Sequence, residues 1–369
     1  MTPAAIAVLN LDAVRHNLAK VRSCAPDAKI MAVIKANGYG HGLLRIAEAL
    51  QHVDAFAVAR VDEGVRLRKA GFSNRIAVLE GFCCAEELAQ LLHYQLEPIV
   101  HSLTQLDIFE AESLRSRQAE IELPVWLKLD TGMNRLGFKA PEFNAVYRRL
   151  SRCALIKQPP NLMTHFASAD DVDDDKTLKQ IGLFKQTVTG FAGACSLANS
   201  AAILGWPQSL SDWVRPGVML YGISPFPEST AQQLGLQAVM ALHSRLIAVK
   251  PIEAGDTVGY GGSWLCKKTT VLGVVAIGYG DGYPRYAKAG TPVLVDGCRV
   301  PLVGRVSMDM ITVDLGLETQ AKPGDPVILW GEGLPIEEIA QWADTIPYTL
   351  VCGVTRRVQI IEKTPGKNK

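Results

Sequence analysis

Chemistry concentrates where a lysine closes an apolar run: Lys29-Ile-Met-Ala-Val-Ile-Lys35, with Ala36-Asn37-Gly38-Tyr39-Gly40-His41-Gly42 directly behind it. A lysine at a strand end is most often a solvated terminus. The seven residues behind Lys35 shift that reading, because the glycines permit tight turns and close ligand approach, and Tyr39 adds a hydroxyl. A buried lysine beside a bound phosphate suits Schiff-base chemistry, since desolvation favours its neutral, nucleophilic amine. His165, in Met163-Thr164-His165-Phe166, reads equally as a satisfied core histidine or as a functional one. Arg215, in Val214-Arg215-Pro216-Gly217, reads by itself as a structural arginine. Asn199-Ser200 before Ala201-Ala202 is an N-cap signal, and capping is compatible with phosphate binding at a helix start.

The same glycines imitate a dinucleotide-binding turn, since Gly38, Gly40 and Gly42 follow a strand, open a helix and precede Asp62 and Glu63 by about 20 residues. The spacing is Gly-x-Gly-x-Gly, however, and Tyr39 sits where a pyrophosphate needs bare backbone. A nicotinamide enzyme is therefore the weaker reading.

Elements of two textures must position these groups. Leu11, Val14, Leu18 and Val21 share a helical face, and the run at Lys29 comes after it. Similar apolar runs recur at Ala55–Ala59, Arg75–Leu79, Glu97–His101, Val125–Leu129, Asn161–His165, Ala194–Ala198 and Trp213–Leu220, mostly separated by helix-like segments such as Phe143, Val146, Tyr147 and Leu150. The simplest architecture is an α/β fold with an N-terminal (β/α)₈ TIM barrel over residues 1–234. Catalytic groups then belong at the C-terminal strand ends, where Lys35 stands. After Gly235, short β-type runs at Ser244–Val249, Thr270–Ala276, Thr291–Val295, Met310–Leu315 and Pro326–Leu329 predict a mainly antiparallel β domain over 235–369. Only Glu337–Ala343 reads as a helix there, and the polar tail Thr364–Lys369 is expected to fray.

Composition narrows the function classes. In 369 residues, 38 Lys and Arg balance 37 Asp and Glu, so the net charge of +1 supplies no field for gripping nucleic acid or anionic lipid. No stretch reaches the ~18 apolar residues of a membrane-spanning helix. Eight scattered cysteines, with no cationic and apolar leader before Asn10, are expected to be reduced thiols of a cytoplasmic protein.

The motif AVIKANGYGHG resembles the pyridoxal-phosphate lysine motif of bacterial alanine racemases. The likeness extends through WLKLDTGMNRLGF (126–138), MTHFASAD (163–170), LANSAA (197–202), VRPGVMLYG (214–222), VGYGG (258–262), IGYGDGYPR (277–285), GRVSMDM (304–310) and Pro347-Tyr348, so it covers nearly the whole chain. It implies a barrel followed by a β domain, a head-to-tail homodimer with shared active sites, pyridoxal 5'-phosphate as cofactor and L- and D-alanine as substrates.

The resemblance also implies roles. Lys35 would carry the cofactor and then act as a base on one face of the substrate Cα, serving the D enantiomer. Tyr260 of the partner subunit would act on the opposite face and serve the L enantiomer; alone, a Tyr between glycines reads as a turn aromatic. A tyrosine with a pKa of about 10 needs help to act as a base, and His165 matches the histidine that provides it. Arg215 matches the arginine facing the cofactor's pyridine nitrogen, where a permanent cation weakens the ring as an electron sink and disfavours transamination. Tyr39, Asn199, Ser200, Gly217 and Tyr348 match cofactor-binding positions. Arg135, Met308 and Asp309 match groups near the substrate carboxylate, and Tyr279 the site entrance. Lys128 aligns with a lysine that some relatives carry as a carbamate; without one, Lys128 and Arg135 repel each other and need another anion.

The expected function is interconversion of L- and D-alanine, supplying D-alanine for peptidoglycan or catabolising alanine. The alternatives are a non-catalytic carrier of the same cofactor, which would lack the β domain, and a racemase of another small amino acid such as serine. A barrel decarboxylase would place an acid where Arg215 stands.

Overall fold

The computed structural model describes residues 5–115 and 122–363; the tail 364–369 lies outside them. The chain forms two compact units, one of residues 17–220 and one of residues 1–16 with 221–369.

The first strand, β1 (Ile6–Leu9), belongs to the second unit. Next come β2 (Lys29–Val33), β3 (Ala55–Val58), β4 (Arg75–Val78), β5 (Glu97–Val100), β6 (Trp126–Lys128), β7 (Asn161–Met163), β8 (Cys195–Ser196) and β9 (Trp213–Val214). These eight close into a barrel in sequence order, all pairings parallel, with β9 returning to β2. Each falls within one of the apolar runs read from the sequence. Both faces of such strands are buried, which is why they read as continuous hydrophobic runs rather than alternating ones. The helix Ala140–Leu150 shows the expected stripe, with Phe143, Val146 and Leu150 buried.

The N-terminal end of the barrel is sealed rather than functional. Arg75 is paired with the buried Glu97 at 2.5 Å, Trp126 donates its indole N–H to Glu97 at 3.1 Å, and the Arg75 guanidinium lies over the Trp213 ring. A packed plug of this kind stabilises the barrel and leaves chemistry to the opposite end.

The second unit is built on β10 (Met240–Ile252), β11 (Thr257–Val258), β12 (Trp264–Leu265), β13 (Thr270–Val275), β14 (Pro292–Val295), β15 (Cys298–Val303), β16 (Ile311–Asp314), β17 (Pro326–Trp330) and β18 (Gln359–Glu362). Its main sheet runs β13-β16-β15-β14-β17-β10-β1-β18, and β13 also pairs with β10, so six strands form a closed circuit. Pairing is antiparallel except between β1 and β18. The division therefore differs from the expected 234/235 boundary at both ends. Residues 6–9 join a sheet whose other strands arrive more than two hundred residues later, and the second unit resumes at Tyr221. Beside the expected helix, here Ile336–Trp342, a second helix spans Pro347–Gly353, where Pro347 opens the first turn.

That second helix is locked to the loop 278–282. Gly282 has φ +102°, and a Cβ there would lie 2.2 Å from the Gly353 carbonyl oxygen. Gly282→Ala combines backbone strain with overpacking and is expected to cost about 3 kcal/mol. Chemical denaturation checks this; an unchanged midpoint would contradict it. All eight cysteines are free thiols. No helix among the described residues is long and apolar enough to cross a membrane.

Candidate active site

Beyond β2 the backbone takes an unusual course. Ala36, Asn37, Gly38, Tyr39 and Gly40 all have positive φ, from 48° to 80°, forming a left-handed turn immediately after Lys35. Such a conformation costs about 1–2 kcal/mol per L-residue, so surrounding contacts must hold it. The buried Glu63 carboxylate accepts the Asn37 N–H at 3.3 Å and the Ala59 N–H at 2.9 Å. Asn37 Oδ1 accepts the Leu43 N–H, and His41 Nδ1 lies 2.8 Å from the Tyr39 carbonyl. Burial pulls the His41 imidazole down to about 4, so it stays neutral and serves as a donor to that carbonyl.

The turn buries the Tyr39 ring and aims its hydroxyl at Gly217, where an added Cβ would lie only 2.7 Å from that oxygen. The Gly217 N–H donates to Ser200 Oγ at 2.8 Å, and the Met219 N–H approaches the same oxygen. Asn199 caps the helix Ser200–Gly205, its Oδ1 accepting the Ala202 N–H at 3.0 Å, as the sequence signal indicates. Tyr39, Ser200 and Gly217 are thus brought together, with Asn199 beside them.

Arg215, 4% exposed, is held by neutral acceptors: Ser196 Oγ at 2.7 Å and the carbonyls of Thr164 and Leu197 at 2.6 and 3.1 Å. Burial pulls its guanidinium down to about 10, still protonated at neutral pH. Its Nη2 also lies 3.3 Å from His165 Nδ1. A guanidinium only donates, so Nδ1 is inferred to accept and the proton of a neutral imidazole sits on Nε2. Burial, followed by the charges of Arg215, Lys128, Arg135 and Lys35, holds His165 well below its ordinary range. Burial and the charges of Arg215 and Arg135 likewise pull the Lys128 ammonium down to about 8, with Asp130 opposing them. The barrel mouth is therefore a cluster of four cationic side chains around a neutral histidine.

Among the supporting residues Gln180 carries no motif signal, whereas Asp130, Thr131 and Thr164 stand in quoted motifs without an assigned role. Gln180, buried on the helix Lys176–Val188, accepts the Ala167 N–H and donates to Thr131 Oγ1 and the His165 carbonyl. Thr131 in turn bonds Thr164 at 2.7 Å, so one amide joins the loops bearing Arg135 and His165. Asp130 accepts the Gly132 and Asn134 N–H groups and pairs with Lys139 at 2.7 Å, shaping the loop on which the exposed Arg135 stands. An apolar-strand pattern cannot flag Glu63 or Gln180, because the bonds that hold the site, Glu63 to the Asn37 N–H and Gln180 to the His165 carbonyl, join residues distant in sequence.

The second unit gathers the remaining candidates. The Tyr279 N–H donates to the Ser307 carbonyl and the Gly280 N–H to the Met308 carbonyl. Asp309 pairs with Arg357 at 2.7 Å, and Arg357 also reaches the buried Asp281. Tyr279, Met308 and Asp309 therefore share one region, and the helix beginning Pro347-Tyr348 packs on the same 278–282 loop. Tyr260 is 71% exposed on a turn of three residues, and its chain neighbours Gly259 and Gly261 both face Arg305. Tyr279, Met308 and Met310 are exposed as well.

The comparisons with known proteins agree along nearly the whole chain. The family model described as alanine racemase, N-terminal domain, matches residues 9–225, and that for the C-terminal domain matches residues 239–362. An alanine racemase of Aeromonas hydrophila is 52% identical over 96% of this chain and 98% of its own length. A biosynthetic alanine racemase of Escherichia coli is 50% identical over 96% and 98%. Among solved structures, the biosynthetic alanine racemase from Pseudomonas aeruginosa superposes with a TM-score of 0.94 at 41% identity, covering 98% of this chain and all of that one. The alanine racemase from Bartonella henselae, with covalently bound pyridoxal phosphate, gives 0.86 at 29% identity over 98% and 100%. A closed eight-stranded barrel, an antiparallel β unit, a strand-end lysine on a strained turn and likeness over both units lead to one conclusion: this chain belongs to the alanine racemase family.

Proposed function

We propose that this protein is a pyridoxal-phosphate-dependent alanine racemase, a dimeric isomerase that interconverts L- and D-alanine in the cytoplasm. The observation that carries the reading is the cluster of Lys35, Lys128, Arg135 and Arg215 at the barrel mouth, which calls for a strongly anionic ligand. The cofactor and an amino-acid carboxylate supply that charge. The residues fit the cofactor in a second respect: the space against Tyr39 Oη exists only because residue 217 has no side chain. Lys35 would hold the cofactor covalently, Tyr39, Ser200, Gly217 and Tyr348 would take its phosphate, and Arg215 would face its ring nitrogen.

When bound, pyridoxal phosphate supplies an electron-withdrawing ring that acidifies the Cα–H of the amino acid joined to it. The rest falls to the protein's own groups. Lys35 Nζ takes or returns the Cα proton on one face, and Tyr260 of the partner subunit does so on the other. Neutral His165, with its proton on Nε2, is able to donate to a phenolate oxygen, which favours the ionised tyrosine. Arg135 offers a bidentate donor to the substrate carboxylate, with Met308 and Asp309 of the partner subunit beside it. Arg215, cationic and without an acidic partner among the described residues, does not deepen the electron sink, which favours prompt return of the proton over transamination.

Lys128 permits a pH-dependent expectation. Only a neutral amine adds CO2, forming a carbamate and releasing a proton, and a lysine with a pKa near 8 becomes mostly neutral as pH rises through that value. At constant dissolved CO2, carbamate on Lys128 is expected to increase between about pH 7 and pH 9. Carbon-13 NMR with labelled CO2 reads it; absence of any resonance that disappears in Lys128→Arg would refute the assignment.

The direct test of function is decay of optical rotation when the holoenzyme receives L-alanine and, separately, D-alanine. Decay to zero from both sides establishes racemisation. A protein whose cofactor is trapped on Lys35 by borohydride yet leaves both rotations unchanged would be a carrier; decay with serine alone would mark the other small-amino-acid reading.

A further inference from the structure

Beyond the end of β4, the loop Glu80–Cys84 leads into the helix Ala85–Tyr94 and places two adjacent thiols at its start. The Sγ atoms of Cys83 and Cys84 and a carboxylate oxygen of Glu87 all lie within 4.8 Å of one another. The backbone around them is held. The Cys83 N–H donates to Glu87 Oε2 at 2.7 Å, Gln105 Nε2 donates to the Phe82 carbonyl at 3.0 Å, and His101 Nε2 lies 3.0 Å from the Glu80 carbonyl. Cys83 is exposed, so an ion has a path in, whereas Cys84 and Glu87 are half-buried. None of the three is among the residues proposed to carry racemisation.

We propose that Cys83, Cys84 and Glu87 form a binding site for a thiophilic divalent cation of the Zn2+ or Cd2+ class. Two thiolates and one carboxylate suit such ions, and the paired sulfurs exclude Mg2+ and Ca2+ as preferred occupants. Ligand atoms within 4.8 Å of one another can reach one ion through metal–sulfur bonds of about 2.3 Å and a metal–oxygen bond of about 2.1 Å by side-chain rotation. Water completes the coordination. The Glu87 carboxylate, accepting a hydrogen bond from the Cys83 thiol, holds that thiol above its ordinary range. Loading from the two thiols breaks two S–H bonds, forms two metal–sulfur bonds and releases two protons to solvent, with no change of oxidation state.

The test titrates pyridoxal-phosphate-loaded protein with Cd2+ and follows the ultraviolet thiolate-to-cadmium charge-transfer band. The Cys83→Ser/Cys84→Ser variant is expected to bind one equivalent fewer than the parent, and Zn2+ should displace that equivalent. Glu87→Gln should retain it with affinity lowered roughly tenfold or more. Circular dichroism and the melting temperature verify that the variants are folded, which substitution at this partly exposed loop should permit. Equal numbers of tightly bound equivalents in the parent and the double-serine variant would overturn the site, and so would proton release that is the same in both.

Discussion

Lys35→Ala is expected to lower racemisation at least ~10⁴-fold, equivalent to about 5.5 kcal/mol of transition-state stabilisation. The two functions proposed for Lys35 end together: the covalent hold on the cofactor and the base on one face of Cα. The substitution shortens a half-buried side chain after a strand whose pairing is backbone-to-backbone, so the barrel should persist. The variant should bind pyridoxal phosphate only reversibly, and borohydride should no longer attach it to this position. Turnover within tenfold of the parent, in a folded variant, would remove Lys35 from the mechanism.

Tyr260→Phe has the second large effect and a more diagnostic one. The hydroxyl is exposed within the chain and its loss should change stability by no more than about 0.5 kcal/mol, while racemisation falls ~10²–10⁴-fold. Lys35 remains, so exchange of the D-alanine Cα hydrogen with deuterated solvent should continue without inversion. Loss of exchange in step with inversion would contradict the division of labour between the two bases. The two variants also test the proposed sharing of the site between subunits. Mixing Lys35→Ala with Tyr260→Phe subunits and allowing random reassociation makes half the dimers mixed, each with one intact site of two, so about a quarter of parental activity should return. If Tyr260 served its own subunit, no site would be intact and nothing would return.

Much of this protein is legible before folding because its signals are local. Each barrel strand is a short run buried on both faces, so eight runs between Lys29 and Leu220 disclose the barrel. The runs overstate strand length where a ladder bond is impossible. Trp213–Leu220 yields only Trp213–Val214 as strand, because Pro216 has no N–H and the Gly217 N–H is given to Ser200. The four residues of β1 carry no such signal, because what makes them a strand is pairing with β10 and β18. The helix Pro347–Gly353 is likewise concealed by β-branched Thr349 and Val351, whose local preference is overridden by packing on the 278–282 loop.

The sequence by itself determined the barrel, the β unit, the family and the residue types at Lys35, His165, Arg215 and Tyr260, since periodicity and short motifs survive without coordinates. Only the tertiary structure decided what those side chains experience. A left-handed turn held by Glu63, a histidine kept neutral by burial among four cations, a lysine brought near pH 8 and a glutamine joining two loops all depend on groups distant in sequence. Electrostatic and hydrogen-bond energies depend on separation in space and the local dielectric, and neither exists until the chain has folded.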